Sequence, residues 1–157
     1  LLATVEHVSF CRANGGFATA ENPGDAAPEA LPAVPERAPD AVLDLPTLPS
    51  AALLYRLNGD RNPIHAWPNA AKVAGFDRPI LHGLCTYGVV CKALTDAVAE
   101  ADASAVAGFR ARFAGVLYPG ETLRIRAWRS DGEVVAAVTV DERDGAPVLH
   151  DVALRLR

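Results

Sequence analysis

Between Gly83 and about Ala101, apolar residues recur every three or four positions, at Leu84, Tyr87, Val90, Cys91, Leu94 and Val98. That is the period of a helix burying one face. After Ser104 the period changes to two. Residues Phe109–Val116, Leu123–Trp128, Val134–Val140 and Val148–Leu156 alternate, and Pro119-Gly120, Asp131-Gly132 and Asp144-Gly145 separate them. One helix followed by four strands on short turns leaves few folds open. Strands connected in this way pair as an antiparallel meander, and the helix must bury its stripe against one face of it. The fold class is therefore α+β. A chain of 157 residues can bury one good core, so one main domain is expected.

The N-terminal part reads differently. Residues 1–11 carry Val, Thr and Phe in partial alternation and predict a strand, ended by Asn14-Gly15-Gly16. Residues 21–41 contain prolines at 23, 28, 32, 35 and 39 among small and charged residues, which predicts an extended linker. Val42-Leu43-Asp44-Leu45 is a short strand. Ser50 stands as N-cap of a helix from Ala51, which Gly59 ends in a left-handed conformation. Pro68 starts a second short helix, closed by Gly75. The chain contains no Met and opens in strand-like composition, so it is expected to be a piece of something longer.

A net charge of −4 offers no basic patch for nucleic acid, and no apolar run approaches the ~20 residues that cross a bilayer. With no signal-peptide pattern at the start, a cytoplasmic location is expected. Cys11, Cys85 and Cys91 form no Cys-x-x-Cys pair and read as buried thiols, with neither a disulfide framework nor a metal site expected.

Residues 55–88 hold the chemistry. Asp60 precedes His65 by five residues, with Gly59 and Pro63 shaping the loop between them. Pro63 keeps Asn62 out of the helical region, so the segment breaks and carboxylate and imidazole can converge. Gly83 then opens the long helix with no side chain over its N–H groups, where a ligand oxygen meets the positive end of the helix dipole. In isolation, Gly59-Asp60 and Asn62-Pro63 are ordinary turn chemistry, and a lone His65 is more often a surface or satisfied core residue. An acid/base pair followed by a bare helix N-terminus is what addition of water beside a carbonyl needs. Asn62 reads as the N-cap of a turn that also orients the water or the pair. His82 shapes or caps the turn before Gly83, while Tyr55 and Tyr87 fall on apolar helical faces. Arg110, Arg112, Arg124 and Arg126 alternate on what reads as two neighbouring strands, as a solvated sheet face does. The sharper alternative is contact with the phosphates of a bound ligand.

The run Gly59-Asp60-Arg61-Asn62-Pro63-Ile64-His65, with Gly75-Phe76 and Pro79-Ile80-Leu81-His82-Gly83-Leu84 behind it, resembles the hydratase 2 signature of MaoC-like (R)-specific enoyl-CoA hydratases. One departure is Trp67, where the family usually has Asp before the proline. The resemblance implies a hot dog fold, an antiparallel sheet wrapped around one long helix. It divides the chain into the terminal strand of a preceding, mostly absent hot dog half (1–20), a linker (21–41) and a MaoC-like domain (42–157). It implies reversible hydration of a trans-2-enoyl-CoA to the (3R)-hydroxyacyl-CoA in fatty acid metabolism. Asp60, His65 and the Gly83 N–H would be catalytic, with Gly59, Asn62 and His82 lining the substrate. Asp60 would draw a proton from water and His65 would hold the water and protonate the α-carbon, or the two would exchange roles. No metal or cofactor is expected beyond the coenzyme A of the substrate. The implied partners are an acyl-CoA thioester and either a second copy or another hot dog half. The competing readings are a non-catalytic hot dog partner or acyl-CoA-binding fragment, and a hot dog thioesterase.

Overall fold

The computed structural model describes residues 3–9, 16, 18–21, 33–130 and 132–157. The chain divides into two units, Leu1–Ala30 and Leu31–Arg157. In the first, residues 3–9 form no strand. Val5 is 88% exposed, and a strand persists only against a partner that takes its backbone hydrogen bonds. The rest of that predicted strand, the turn residues Asn14 and Gly15, Cys11 and residues 22–32 of the linker lie outside the described residues.

The second unit contains five strands: β1 (Ala41–Pro46), β2 (Val106–Phe113), β3 (Thr122–Ser130), β4 (Glu133–Val140) and β5 (Ala146–Leu156). Its helices are α1 (Ala51–Tyr55), α2 (Pro68–Val73) and α3 (Gly83–Val98). The strands form one antiparallel sheet in the order β1-β3-β4-β5-β2. The expected four-strand meander is therefore correct only for β3-β4-β5. β2 pairs with β5 at the far edge, because residues 114–121 are a crossing link and not a hairpin turn. Leu117 and Tyr118 in that link are buried, and the Leu81 N–H donates to the Leu117 carbonyl at 2.7 Å. The link passes so close to β5 that a Cβ at Gly115 would lie 2.3 Å from the Pro147 carbonyl oxygen, which makes glycine obligatory there.

Alternation decides the faces. Leu123, Ile125 and Ala127 of β3 stand opposite Val140, Val138 and Ala136 of β4, and all are buried in the main core. Val90 and Leu94 carry α3 onto this face, each fully buried. A hot dog arrangement results, one long helix against an antiparallel sheet. The helix ends at Val98, short of the expected Ala101, because Glu100 and Ala101 adopt left-handed conformations without the glycine that signals such a stop. Leu84, expected on the buried stripe, is 64% exposed.

The globular unit also starts earlier than residue 42. Arg37 pairs with Asp40 at 2.6 and 2.7 Å and donates to the Arg129 carbonyl at 3.0 Å. Trp128 Nε1 donates to the Arg37 carbonyl at 2.8 Å. The last linker residues are thus fastened to the end of β3. The hydrogen bonds from Arg37 and from the Arg129 backbone hold the Asp40 carboxyl down at about 2.

Candidate active site

Residues 56–82 build the site. α1 passes into a 3-10 turn, Arg56–Asn58, without a side-chain cap from Ser50, contrary to expectation. Gly59 closes that turn at φ +113°, left-handed as the sequence predicts, and directs the chain out towards Asp60. Asp60 then organises its own loop, its Oδ1 accepting from the Asn62 N–H at 3.1 Å. Asn62 Oδ1 accepts in turn from the Ile64 N–H at 3.2 Å and caps a second 3-10 turn, Pro63–His65, with the proline in its first turn. α2 has no side-chain cap, as Trp67 in place of an acceptor implies.

Three hydrogen bonds join this loop to the residues entering α3. The Ile80 N–H donates to the Ile64 carbonyl at 3.2 Å, His65 Nδ1 to the Ile80 carbonyl at 2.8 Å, and His82 Nε2 to the Asp60 carbonyl at 3.1 Å. A carbonyl only accepts, so the two rings carry protons on those nitrogens. In their neutral forms His65 Nε2 and His82 Nδ1 retain lone pairs.

His65 and His82 are both buried, with 7% and 1% of their surface exposed. Their rings stack at 3.7 Å between centroids with 24° between planes. Tyr55 adjoins His82 at 4.8 Å, so this half-buried tyrosine belongs to the site and not to the core where its helical position puts it. Burial pushes the His82 imidazole below its usual value, outweighing the Asp60 carbonyl that favours the charged form. His82 Nδ1 is buried without a hydrogen-bond partner. One donor atom each from Asp60, His65 and His82 lies within 4.8 Å of the others.

Of the two roles the sequence leaves to His82, shaping the turn or capping it, its side chain makes no capping bond to α3 and instead bonds through Nε2 to the Asp60 carbonyl. No side chain caps that helix and no acidic residue occupies its first turn, so its positive end is not neutralised by a carboxylate. The Phe113 ring covers Gly83, and a Cβ added there would meet Phe113 Cε1 at 3.0 Å. Phe113 and the Ile80 carbonyl were not foreseen. Phe113 comes from the distant β2, and a backbone acceptor leaves no mark in a side-chain pattern.

Tyr87 pins α3 to β2, its hydroxyl donating to the Phe109 carbonyl at 2.6 Å. Of the four arginines, Arg124 and Arg126 lie on β3, and Arg110 and Arg112 on the opposite edge strand, so the two pairs are not on neighbouring strands. Arg124 pairs with Asp44 at 2.8 Å and with Asp141, Arg112 with Asp151 at 3.0 Å, and Arg110 with Glu133 at 3.6 Å. These pairs are those of a half-exposed sheet face. Behind the site, buried Glu121 accepts from the Tyr118 N–H at 2.9 Å and from Arg143 at 2.8 and 3.1 Å, fixing the crossing link on which Leu81 rests.

Residues 30–148 match the model of the MaoC like domain. The chain is 52% identical over 154 residues to the enoyl-CoA hydratase ChsH3 of Mycobacterium tuberculosis, covering 98% of this chain and 52% of that protein. It is 42% identical over 151 residues to the peroxisomal enoyl-CoA hydratase 2 of Arabidopsis thaliana, covering 93% of this chain and 49% of that protein. It thus spans about half the length of these curated relatives. Among solved structures, the full-length peroxisomal multifunctional enzyme type 2 of Drosophila melanogaster superimposes with a TM-score of 0.80 at 35% identity, over 87% of this chain and 25% of that one. By sequence, and by the arrangement of helix and sheet around the Asp60–His65 loop, the chain belongs to the MaoC-like domain family.

Proposed function

We propose that this domain carries out the reversible hydration of a trans-2-enoyl-CoA to the (3R)-hydroxyacyl-CoA. The observation that carries the reading is the convergence of the Asp60 carboxylate and the His65 ring within 4.8 Å, in a loop hydrogen-bonded to the residues leading into the uncapped start of α3 at Gly83. Relatives bearing enoyl-CoA hydratase names support it. Water attacks the β-carbon of an enoyl thioester, and negative charge gathers on the thioester oxygen. The Gly83 N–H receives that charge, and one such donor lowers a barrier by about 3 kcal/mol. The thioester arrives activated, so the step draws on no metal or redox cofactor, and coenzyme A belongs to the substrate.

The His65 tautomer bears on how the pair divides the work. With Nδ1–H committed to Ile80, the neutral ring offers only a lone pair at Nε2. It takes a proton from the attacking water as the oxygen bonds to the β-carbon, then returns a proton from the imidazolium to the α-carbon. Asp60 orients the water and balances the transient positive charge. It differs from both divisions of labour left open by the sequence, in which each of the two residues moves one proton.

Pairing with a second hot dog unit, either another copy or a separate subunit, belongs to the same proposal. Leu84 and Phe113 beside Gly83 are 64% and 50% exposed, and β1 and β2 present sheet edges. Light scattering after size exclusion is expected to show an assembly, and a monomer at micromolar concentration would contradict it. The activity is tested with crotonyl-CoA. Hydration is expected to remove the enoyl-thioester absorbance without releasing thiol. Thiol release would mean a thioesterase, and no change with the assembled protein would mean a non-catalytic subunit.

A further inference from the structure

The Gly83 N–H is aimed from outside its own helix. Two residues before it, the Leu81 N–H donates to the Leu117 carbonyl at 2.7 Å. Three residues earlier still, the Arg78 guanidinium lies over the Tyr118 ring, 4.8 Å from its centroid. The Phe113 ring packs against Gly83 itself. These contacts come from residues 113–118, the end of β2 and the first half of the crossing link. If that stretch moves, the start of α3 moves with it.

The two ends of the link are tied independently of the ion pair behind it. The Ala114 N–H donates to the Val148 carbonyl at 3.0 Å, and the Glu121 carbonyl accepts from the Thr47 N–H at 3.0 Å and the Thr47 hydroxyl at 2.8 Å. The middle is tied by side chains. The Val116 carbonyl accepts from Arg143 Nη2 at 2.7 Å, and the Tyr118 N–H donates to Glu121 Oε2 at 2.9 Å. Arg143 and Glu121 hold each other through bonds of 2.8 and 3.1 Å. One guanidinium and one carboxylate thus bracket Leu117, at residues 116 and 118. Glu121 is buried, and burying such a pair adds little stability because desolvation offsets the attraction. What a planar guanidinium forked onto a carboxylate does supply is direction. The backbone of Glu121 is already held by Thr47, so its side chain serves the middle of the link.

We propose that Glu121 and Arg143 are positioning residues for hydration: acting through Leu117 and Leu81, they hold the Gly83 N–H on the thioester oxygen. The proposal rests on the function stated above for what that N–H does, and on the hydrogen bonds alone for what holds it.

The test reads geometry and rate separately. Geometry is read without substrate, from hydrogen exchange of the Leu81 amide followed by NMR on the whole protein. Glu121→Gln keeps an oxygen for the Tyr118 N–H but loses the charge. Arg143→Lys keeps the charge but cannot serve three oxygens from one planar fork. In both, Leu81 exchange is expected to quicken about tenfold, the order of one hydrogen bond, while the amides of β3 and β4 keep their protection. Unchanged exchange in both variants, or an equal loss of protection at every amide, would overturn the proposal whatever the rates. Rate is read on crotonyl-CoA. In both variants kcat is expected to fall about tenfold, less than a misplacement near 1 Å costs, with KM changed by less than about twofold. The pH profile should keep its shape, since neither residue exchanges a proton in the reaction. Leu94→Ala, which loosens the core away from the link, should keep its turnover per folded molecule, so lost stability alone does not imitate the result. Unchanged kcat in both variants, a change confined to KM, or a shifted pH profile would each overturn the positioning role. A wild-type protein that hydrates nothing would overturn the hydratase reading, and Leu81 exchange would then decide by itself whether the pair holds the entry to α3.

Discussion

The sheet and the segment 56–82 hold their structure in opposite ways. In the sheet, Leu123, Ile125, Ala127, Ala136, Val138 and Val140 repeat one instruction, apolar inward at every second position, and each contributes to a shared core. In the site segment, single bonds each carry a separate task. Asn62 is held by Asp60, Ile64 by Asn62, the His65 ring by Ile80 and the His82 ring by Asp60. A core built on repetition loses stability in portions when cut, while a site built on single bonds loses its geometry at once. Stability and activity should therefore separate by region.

The largest effect is expected in the site segment. His65→Ala should lower crotonyl-CoA hydration by about 10²–10⁴-fold, the usual contribution of a proton-transfer group, and Asp60→Asn, which removes the charge that balances the imidazolium, by about 10²–10³-fold. Asp60→Asn keeps an oxygen for the Asn62 N–H on an exposed residue, so its thermal midpoint should barely move. Near-normal turnover in either variant would remove the pair from the mechanism. The opposite pattern is expected for Leu94→Ala, on the fully buried face of α3. Denaturant unfolding should show a loss of about 2–5 kcal/mol, with turnover per folded molecule nearly unchanged. If Leu94→Ala abolished turnover in still-folded protein, the two regions would not be separable.

Gly83→Val tests the place where the regions meet, since the residue opens the helix but faces Phe113 from the sheet. Its Cβ would lie 3.0 Å from that ring, closer than carbon atoms pack, so ring and helix start must shift apart. The N–H survives but is displaced. A fall of about 10²-fold in turnover is expected, the cost of a misplacement near 1 Å. An unchanged rate would show that the thioester oxygen binds elsewhere.

This contrast also explains what the sequence could say. The period-two runs, the helix from Gly83 and the left-handed turn at Gly59 were legible because each is a local pattern. The place of β2 was not, since the link at 114–121 contains a Pro-Gly pair like that of a tight turn. Only the burial of Leu117 and Tyr118 and their contacts reveal a crossing. Within the site, the motif brought Asp60, Asn62, His65, His82 and Gly83 forward together. It could not show that His82 stacks on His65, because two residues seventeen positions apart meet only when the Ile64–Ile80 bond closes the loop.

The smallest expected effect concerns that stacked ring, and it shows whether the segment that holds the chemistry also sets an acid limit on stability. Burial holds the folded His82 below its usual 6.5, so between these two values the unfolded chain takes up a proton that the folded chain does not. Stability is then at its full value above pH 6.5 and declines as the pH falls through it. From pH 7.5 to 5.5 the loss from this residue is bounded at about 1.4 kcal/mol, the cost of one pH unit below an ordinary histidine. Asp40 acts in a separate window. Its carboxyl is held at about 2 against 3.8, so its contribution is present above pH 3.8 and fades only as the pH falls towards 2. His82→Gln keeps an amide N–H for the Asp60 carbonyl but cannot titrate. Denaturant unfolding at pH 7.5, 6.5 and 5.5 should show a decline in the wild-type protein and a flatter profile in His82→Gln. Parallel profiles would assign the acid limit to another group and leave His82 as packing alone.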